Sequence, residues 1–109
     1  MDRTQHRRSR LEVINEILSV ASFGARKTHI MYRANLSYDQ LNEYLGFLLD
    51  SGLIEKAADT EYANGILFRP TERGTQFLDR YSALQDFLAH SQTRQEIASN
   101  YLNLAGIGE

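Results

Sequence analysis

The residues of this 109-residue sequence that could do chemistry are better suited to binding than to covalent catalysis. Its three histidines, His6, His29 and His90, are isolated and lack the H-x-x-x-H spacing or neighbouring carboxylates of a metal site. The sequence has no cysteine, no Gly-x-Ser-x-Gly motif, no phosphate-binding glycine loop and no H-E-x-x-H motif. We therefore expect no enzyme activity, no metal and no cofactor.

Positive charge is concentrated near the start of the chain, where it could bind phosphate. Residues 1–35 carry seven basic and three acidic side chains, a net charge of +4, whereas the remainder carries five basic and eleven acidic ones, a net charge of −6. A basic front on an acidic body is typical of a protein that touches phosphates with one face. Arg26, Lys27 and Arg33 are the candidate phosphate contacts, and a solvated helix surface is the alternative explanation for them.

The segment 27–54 should position these cations, because it predicts two helices joined by a tight turn. Ser37 and Gln40 form the S-x-x-Q capping box of a helix start. Gly52 can adopt the left-handed conformation that ends a helix, and Leu53 can fold back on Leu48. Two helices with so short a connection indicate a helix-turn-helix, whose second helix can enter a DNA major groove.

The flanking sequence predicts a mostly α protein with one small β-hairpin, in the order α-α-α-β-β-α. A first helix from about Arg8, ended by Gly24, should bury one stripe of side chains. That stripe is Leu11, Ile14, Ile17, Leu18 and Ala21. The second helix is predicted at about 26–34, with Asn35 in the turn, and the third buries Leu41, Leu45, Leu48 and Leu49. Strands are predicted at 53–57 and 65–69. They are joined either by a loop over 58–64 or by a type I′ turn at Asn64-Gly65.

After Pro70 breaks the second strand, Thr71 can cap a last helix that carries a seam of apolar residues. Phe77, Tyr81, Leu84 and Leu88 are spaced four, three and four apart, as in coiled-coil packing. Together with Phe87 they predict dimerisation through a helix over 77–105. That helix is either continuous or broken near Ser91-Gln92. Residues 1–7 should be a flexible basic segment, 8–76 the folded domain and 106–109 a loose tail.

Several segments of this sequence resemble a known family. They are Leu36-Ser37-Tyr38-Asp39-Gln40-Leu41, Tyr44-Leu45-Gly46-Phe47-Leu48-Leu49, Gly52-Leu53-Ile54, Phe68-Arg69-Pro70-Thr71-Glu72-Arg73-Gly74 and Phe77-Leu78. The family is the small archaeal winged-helix DNA-binding proteins that dimerise through a C-terminal coiled coil, which includes ten-kilodalton chromatin-type proteins and transcriptional regulators. The resemblance covers about 8–88. It implies a winged helix-turn-helix with a long dimerisation helix. Such a homodimer would present its third helices and wings to double-stranded DNA.

The sequence leaves two functions open. The first is duplex DNA binding, sequence-specific or semi-specific, by a transcriptional regulator or chromatin-associated protein in the nucleoid of the cytoplasm. The candidate DNA contacts are Arg26, Lys27, Arg33, Ser37, Tyr38, Gln40, Glu43, Lys56 and Arg69. Asp39 and Glu43 place negative charge on the groove face, although glutamate can accept from cytosine N4. The alternative is a protein-interaction scaffold that does not bind DNA directly. No apolar run approaches the roughly 18 residues of a membrane span.

Overall fold

A computed structural model describes residues 8–62 and 64–104, with side chains as far as Ala89. Within these residues four helices and two strands follow one another in the predicted order α-α-α-β-β-α. They are α1 (Arg10–Val20), α2 (Lys27–Arg33), α3 (Tyr38–Asp50), β1 (Ile54–Ala58), β2 (Ile66–Pro70) and α4 (Glu72–Leu104). The chain divides into two units, of which the first ends at Leu78 and the second begins at Asp79. The predictions for 1–7 and for the tail lie outside the described residues.

The first helix begins at Arg10, two residues later than predicted, because Ser9 caps it. The Ser9 hydroxyl accepts from the Glu12 amide over 3.1 Å, and the Glu12 carboxylate accepts from the Ser9 amide over 2.7 Å. This is a second capping box, which the sequence analysis missed. The helix also ends before Gly24, at Val20, and Gly24 lies in the following connection with a φ of 91°.

The buried face of α1 differs from the predicted stripe at one position. Ile14, Ile17, Leu18 and Ala21 are buried as expected, but Leu11 is 52% exposed. Val13 is buried instead. Val13 lies four residues before Ile17 on the same side of the helix, whereas Leu11 falls at the edge of the buried face in the first turn.

Both ends of α3 form as the sequence predicts. At its start, the Ser37 hydroxyl accepts from the Gln40 amide over 3.1 Å, and the Gln40 side-chain oxygen accepts from the Ser37 amide over 2.9 Å. At its end, Gly52 has a φ of 74°. The amide of Leu53 donates to the carbonyl of Leu48, and that of Gly52 to the carbonyl of Leu49. This pair of bonds is the Schellman motif, which satisfies carbonyls that the helix leaves unpaired.

The turn between α2 and α3 is as tight as predicted. Asn35 occupies the left-handed region with a φ of 55°. α3 then buries Leu41, Leu45 and Leu48 in the core, while Leu49 is half-buried against it. The fixed turn and the buried leucines together set the direction in which the opposite face of α3 points.

The two strands pair antiparallel, with Ile54 opposite Pro70 and Ala58 opposite Ile66. Each strand lies one residue later than predicted. Pro70 is the last residue of β2 and does not lie beyond it, because a proline is tolerated at a strand end where no backbone N–H is needed for the ladder. Of the two predicted connections between the strands, the structure has the loop, which covers 59–65. A type I′ turn is excluded because Asn64 has a positive φ but Gly65 does not.

A short third segment joins the hairpin and was not predicted. Ala25, in the connection between α1 and α2, exchanges two backbone hydrogen bonds with Phe68 of β2, at 2.9 and 2.8 Å. This bridge ties the middle of β2 to the connection that precedes α2. Phe68 is itself buried in the core with Ile54.

α4 begins at the predicted cap. The Thr71 hydroxyl accepts from the Gly74 amide over 3.1 Å and donates to the Gly52 carbonyl over 2.6 Å. The helix is continuous to Leu104, so the alternative break near Ser91-Gln92 does not occur. In the part of α4 that belongs to the first unit, Phe77 and Leu78 are partly buried against the domain core.

Candidate nucleic-acid interface

The first residues of α2 and α3 come together through Lys27 and Tyr38. The Lys27 ammonium lies 4.7 Å from the centre of the Tyr38 ring, within the distance at which a cation is attracted to an aromatic face. Tyr38 is nevertheless 60% exposed. The pKa of its hydroxyl is lowered, first by a hydrogen bond with the Asn42 side chain and then by Lys27. The pair therefore presents a cation and a polarised hydroxyl at the start of α3.

Asn42 was not among the predicted site residues. It follows Tyr38 by four residues, so the two side chains are neighbours on the helix surface. That spacing could have indicated the contact, although it does not by itself distinguish a site residue from an ordinary surface polar group.

Ser37 and Gln40 are committed to the helix start. Each side chain bonds the backbone amide of the other, as described above. Ser37 is thus explained by capping. Both residues are exposed, and Gln40 also lines a cleft of about 360 Å³ with Arg8, Asn35 and Tyr44.

The outward face of α3 is acidic and open. Asp39, Glu43 and Asp50 are all exposed there. A cation that the sequence analysis did not select, Arg10 of α1, lies beside this face. Its guanidinium carbon lies 5.3 Å from the ring centre of Tyr44 and 5.7 Å from that of Phe47. Arg10 also lines a small cleft with Glu43, so positive charge adjoins the acidic surface.

Arg8 supports the turn that precedes α3. Its guanidinium pairs with Glu16 and donates to the Asn35 carbonyl over 3.2 Å. Asn35 is the left-handed turn residue, so Arg8 holds the turn from outside the helix-turn-helix. Sequence separations of 8 and 27 residues give no local signal for these bonds.

Arg33 is a predicted phosphate contact whose side chain is unpaired within the described residues. It is the last residue of α2 and is exposed. Among the residues that the structure describes it makes no hydrogen bond or ion pair. Lys56 on β1 is exposed and equally unpaired within the described part of the chain. Both side chains are therefore accessible to a partner.

Two other residues that were predicted to contact DNA, Arg69 and Arg26, form ion pairs with carboxylates of the hairpin. Arg69 donates to Glu55, its partner across the sheet, over 2.9 Å. Arg26 donates from Nε to Asp59 over 2.7 Å and from a terminal nitrogen to Glu61 over 3.3 Å. Arg26 and Arg69 are therefore balanced by carboxylates, whereas Lys27, Arg33 and Lys56 form no ion pair within the described part of the chain.

Two further classes of site find no support in the described residues. No group of three or more histidine and carboxylate side chains could hold a metal ion in 8–62 and 64–89. None of the helices described is long and apolar enough to cross a membrane.

Known proteins share this fold and part of the sequence. Residues 7–89 match the family described as winged helix-turn-helix. The uncharacterized protein MJ0287 of Methanocaldococcus jannaschii is 37% identical over 83 residues, which are 75% of this chain and 75% of that protein.

Two solved structures resemble this one in fold. The DNA-binding protein Sso10a-2 of Sulfolobus solfataricus has a TM-score of 0.66 and 19% identity, over 87% of this chain and 97% of that chain. Streptococcus pneumoniae FabT, solved in complex with DNA, has a TM-score of 0.63 and 12% identity, over 86% of this chain and 70% of that chain. The predicted winged-helix fold is therefore confirmed, with β1, β2 and their connecting loop as the wing.

Proposed function

This chain belongs to the winged helix-turn-helix family, and from that premise we propose that it binds double-stranded DNA as a homodimeric transcriptional regulator or chromatin-associated protein of the nucleoid. Sso10a-2 is a DNA-binding protein and FabT was solved with DNA, which supports this proposal. The observation that carries it in this chain is the meeting of Lys27 with Tyr38, which puts a cation at the exposed start of a firmly capped α3.

Within this proposal the residues divide between phosphate and base contacts. Lys27 and Arg33 would bind phosphates, which fix the orientation of the protein on the duplex. Gln40 and Glu43 lie in the N-terminal half of α3, the part of a recognition helix that approaches base edges. Glu43 would accept from cytosine N4. Its negative charge would be offset by the neighbouring Arg10.

The homodimer is proposed on the surface of α4. Leu84, Phe87 and Leu88 are 51%, 65% and 59% exposed. Their coiled-coil spacing favours a second copy of the chain as the partner, and burial of the exposed part of each side chain would stabilise the pair by about 1–2 kcal/mol. Tyr81 shares the seam. Phe77, also predicted there, is partly buried against the core of its own domain, so its share of the contact is smaller.

A protein-binding scaffold remains the second candidate because of one observation. Asp39, Glu43 and Asp50 make the outward face of α3 acidic, and DNA phosphates repel such a face. A basic polypeptide would suit the same surface.

The binding of a fluorescently labelled duplex to variants of the full chain separates these functions. Lys27→Gln and Arg33→Gln should each weaken binding and lower the magnitude of the salt slope by about two units, because each change removes one phosphate contact from both copies of the dimer. Arg73→Gln is the matched control, since Arg73 is exposed and lies beside Gly52 at the far end of α3. Equal binding by all three variants and the unchanged protein would remove the proposed interface.

A further inference from the structure

The loop of the wing, residues 59–65, is organised by one buried carboxylate. The side chain of Asp59 is only 4% exposed. Its Oδ1 accepts from the Glu61 amide over 2.9 Å, and its backbone amide donates to the Gly65 carbonyl over 3.0 Å. A side chain at Gly65 would place its Cβ 2.7 Å from that of Asp59. The glycine therefore leaves the space into which Asp59 folds.

The second oxygen of Asp59 is bound by Arg26, outside the wing. Arg26 lies immediately before α2 and reaches Asp59 Oδ2 from Nε over 2.7 Å. Its other contacts are also with the loop, because one terminal nitrogen reaches Glu61 over 3.3 Å and the Tyr62 ring centre lies 4.3 Å from the guanidinium carbon. One side chain thus holds three residues of the loop.

The charges of this cluster do not suit a phosphate contact. Two carboxylates balance the single guanidinium of Arg26. The hydrogen bond between Arg26 and Asp59 raises the pKa of Arg26 and lowers the pKa of Asp59. Both shifts favour the charged forms that make the ion pair. A phosphate would have to compete with a buried carboxylate that is already bound in a fixed geometry.

In the residues that the structure describes, the hydrogen bonds between the loop and the start of α2 are those of Arg26. The two elements line opposite sides of a cleft of about 590 Å³, with Thr28, His29 and Tyr32 on α2, and Thr60 and Glu61 on the loop. The Ala25–Phe68 bridge fixes the middle of β2. The contacts of Arg26 span the remaining distance to the loop, so the angle of the loop to α2 depends on them.

We propose that Asp59 and Arg26 are positioning residues, which hold the wing loop at a fixed place beside the start of α2, and that Arg26 supports DNA binding in this way and not by contacting a phosphate. The inference rests on the proposed function. One consequence is that removal of the negative charge of Asp59 should weaken DNA binding. Charge repulsion alone would predict tighter binding.

Duplex binding by Asp59→Asn tests this consequence, with Asp50→Asn as the matched control. Both substitutions remove one negative charge from the same domain, and Asp50 is exposed at the end of α3. Asp50→Asn should bind duplex as well as the unchanged protein or more tightly. Asp59→Asn should bind about tenfold more weakly, the equivalent of one charge-assisted hydrogen bond.

Arg26→Gln supplies the second variant, because Arg26 is partly exposed and the domain can tolerate its change. It should weaken binding while the salt dependence stays that of the unchanged protein, whereas loss of one phosphate contact from each copy of the dimer would lower the magnitude of the slope by about two. Amide hydrogen exchange without DNA gives an independent readout. In both variants the amides of Glu61 and Gly65 should exchange faster, while those of Leu45 and Ile17 in the core keep their protection.

Three results would overturn the inference. They are equal or tighter duplex binding by Asp59→Asn, a reduced salt slope for Arg26→Gln, and unchanged exchange in the wing loop. If one of these results is obtained and the unchanged protein still binds duplex DNA, the inference fails but the proposed function stands. Absence of duplex binding by the unchanged protein would overturn both.

Discussion

The Nε of Arg26 donates a hydrogen bond to Oδ2 of Asp59 over 2.7 Å and so joins the start of α2 to a loop 33 residues farther along the chain. Both residues lie at the edge of the helix-turn-helix. Their bond joins a cation that the sequence predicts as a phosphate contact to the loop of the wing.

This bond should make part of the stability of the domain depend on pH. The bond to Arg26 and the Glu61 amide keep the pKa of Asp59 below its usual range. A carboxyl whose folded-state pKa is depressed stabilises the fold fully above its unfolded-state pKa and loses that contribution as the pH falls through the folded-state value. His29 and Glu61 line the cleft beside Asp59, and both of these side chains are exposed.

Urea unfolding of the unchanged protein and of Asp59→Asn, measured from pH 7 downward, checks this expectation. The difference between their free energies of unfolding should be constant above about pH 5 and shrink below it, because the carboxylate becomes protonated. A difference that does not change with pH would show that the charge of Asp59 contributes nothing to folding.

Loss of the α3 cap should cost stability. Ser37→Ala removes the acceptor for the Gln40 amide, and the expected loss is about 1 kcal/mol in the free energy of unfolding. Ser19→Ala is the control, since Ser19 lies on the exposed side of α1 and its change should alter stability by less than about 0.5 kcal/mol. If the two variants unfold alike, capping does not stabilise this helix.

The burial difference between two leucines offers a test of the core. Leu41 is fully buried and Leu11 is 52% exposed. Leu41→Ala should lower the free energy of unfolding by about 2–5 kcal/mol, while Leu11→Ala should lower it by less than about 1 kcal/mol. Thermal or urea unfolding of the two variants measures the difference. A comparable loss from Leu11→Ala would mean that α1 buries the stripe first predicted from its sequence.

Charged substitutions on the exposed surface of α4 should prevent the proposed dimer from forming. Leu84→Asp with Phe87→Asp would place two charges in the proposed apolar seam, where their desolvation opposes association. Sedimentation should then give the monomer mass of 12.5 kDa, whereas the unchanged protein should sediment as a dimer. Gln85→Asp, an exposed position between them, should stay dimeric. An unchanged protein that sediments as a monomer contradicts the proposed assembly.

Sequence predicted those features of the fold that depend on neighbouring residues. The Ser37–Gln40 box, the left-handed Gly52 and the Thr71 cap are formed by residues within a few positions, and all three were predicted. Ser9 and Glu12 have the same spacing and were overlooked, although the local signal was present. The continuous α4 was left open because its polar middle weakens the apolar pattern without containing a helix breaker.

Features that depend on residues far apart in sequence could not be predicted. Nothing near Arg26 indicates that its guanidinium is taken up by Asp59, and nothing near Ala25 indicates its bridge to Phe68. Charge alone therefore placed Arg26 and Arg69 with the phosphate contacts, while the fold pairs both with carboxylates. Lys27 and Arg33 remain available because, among the residues that the structure describes, no acid lies close enough to form an ion pair with them.

Duplex DNA binding by the unchanged protein, measured by anisotropy as salt rises from about 50 to about 200 mM, tests the central claim most directly. Two phosphate contacts from each copy of a dimer, made by Lys27 and Arg33, predict a slope of log affinity against log salt of about −3 to −4. No binding at the lowest salt, or an affinity that does not change with salt, would contradict the account.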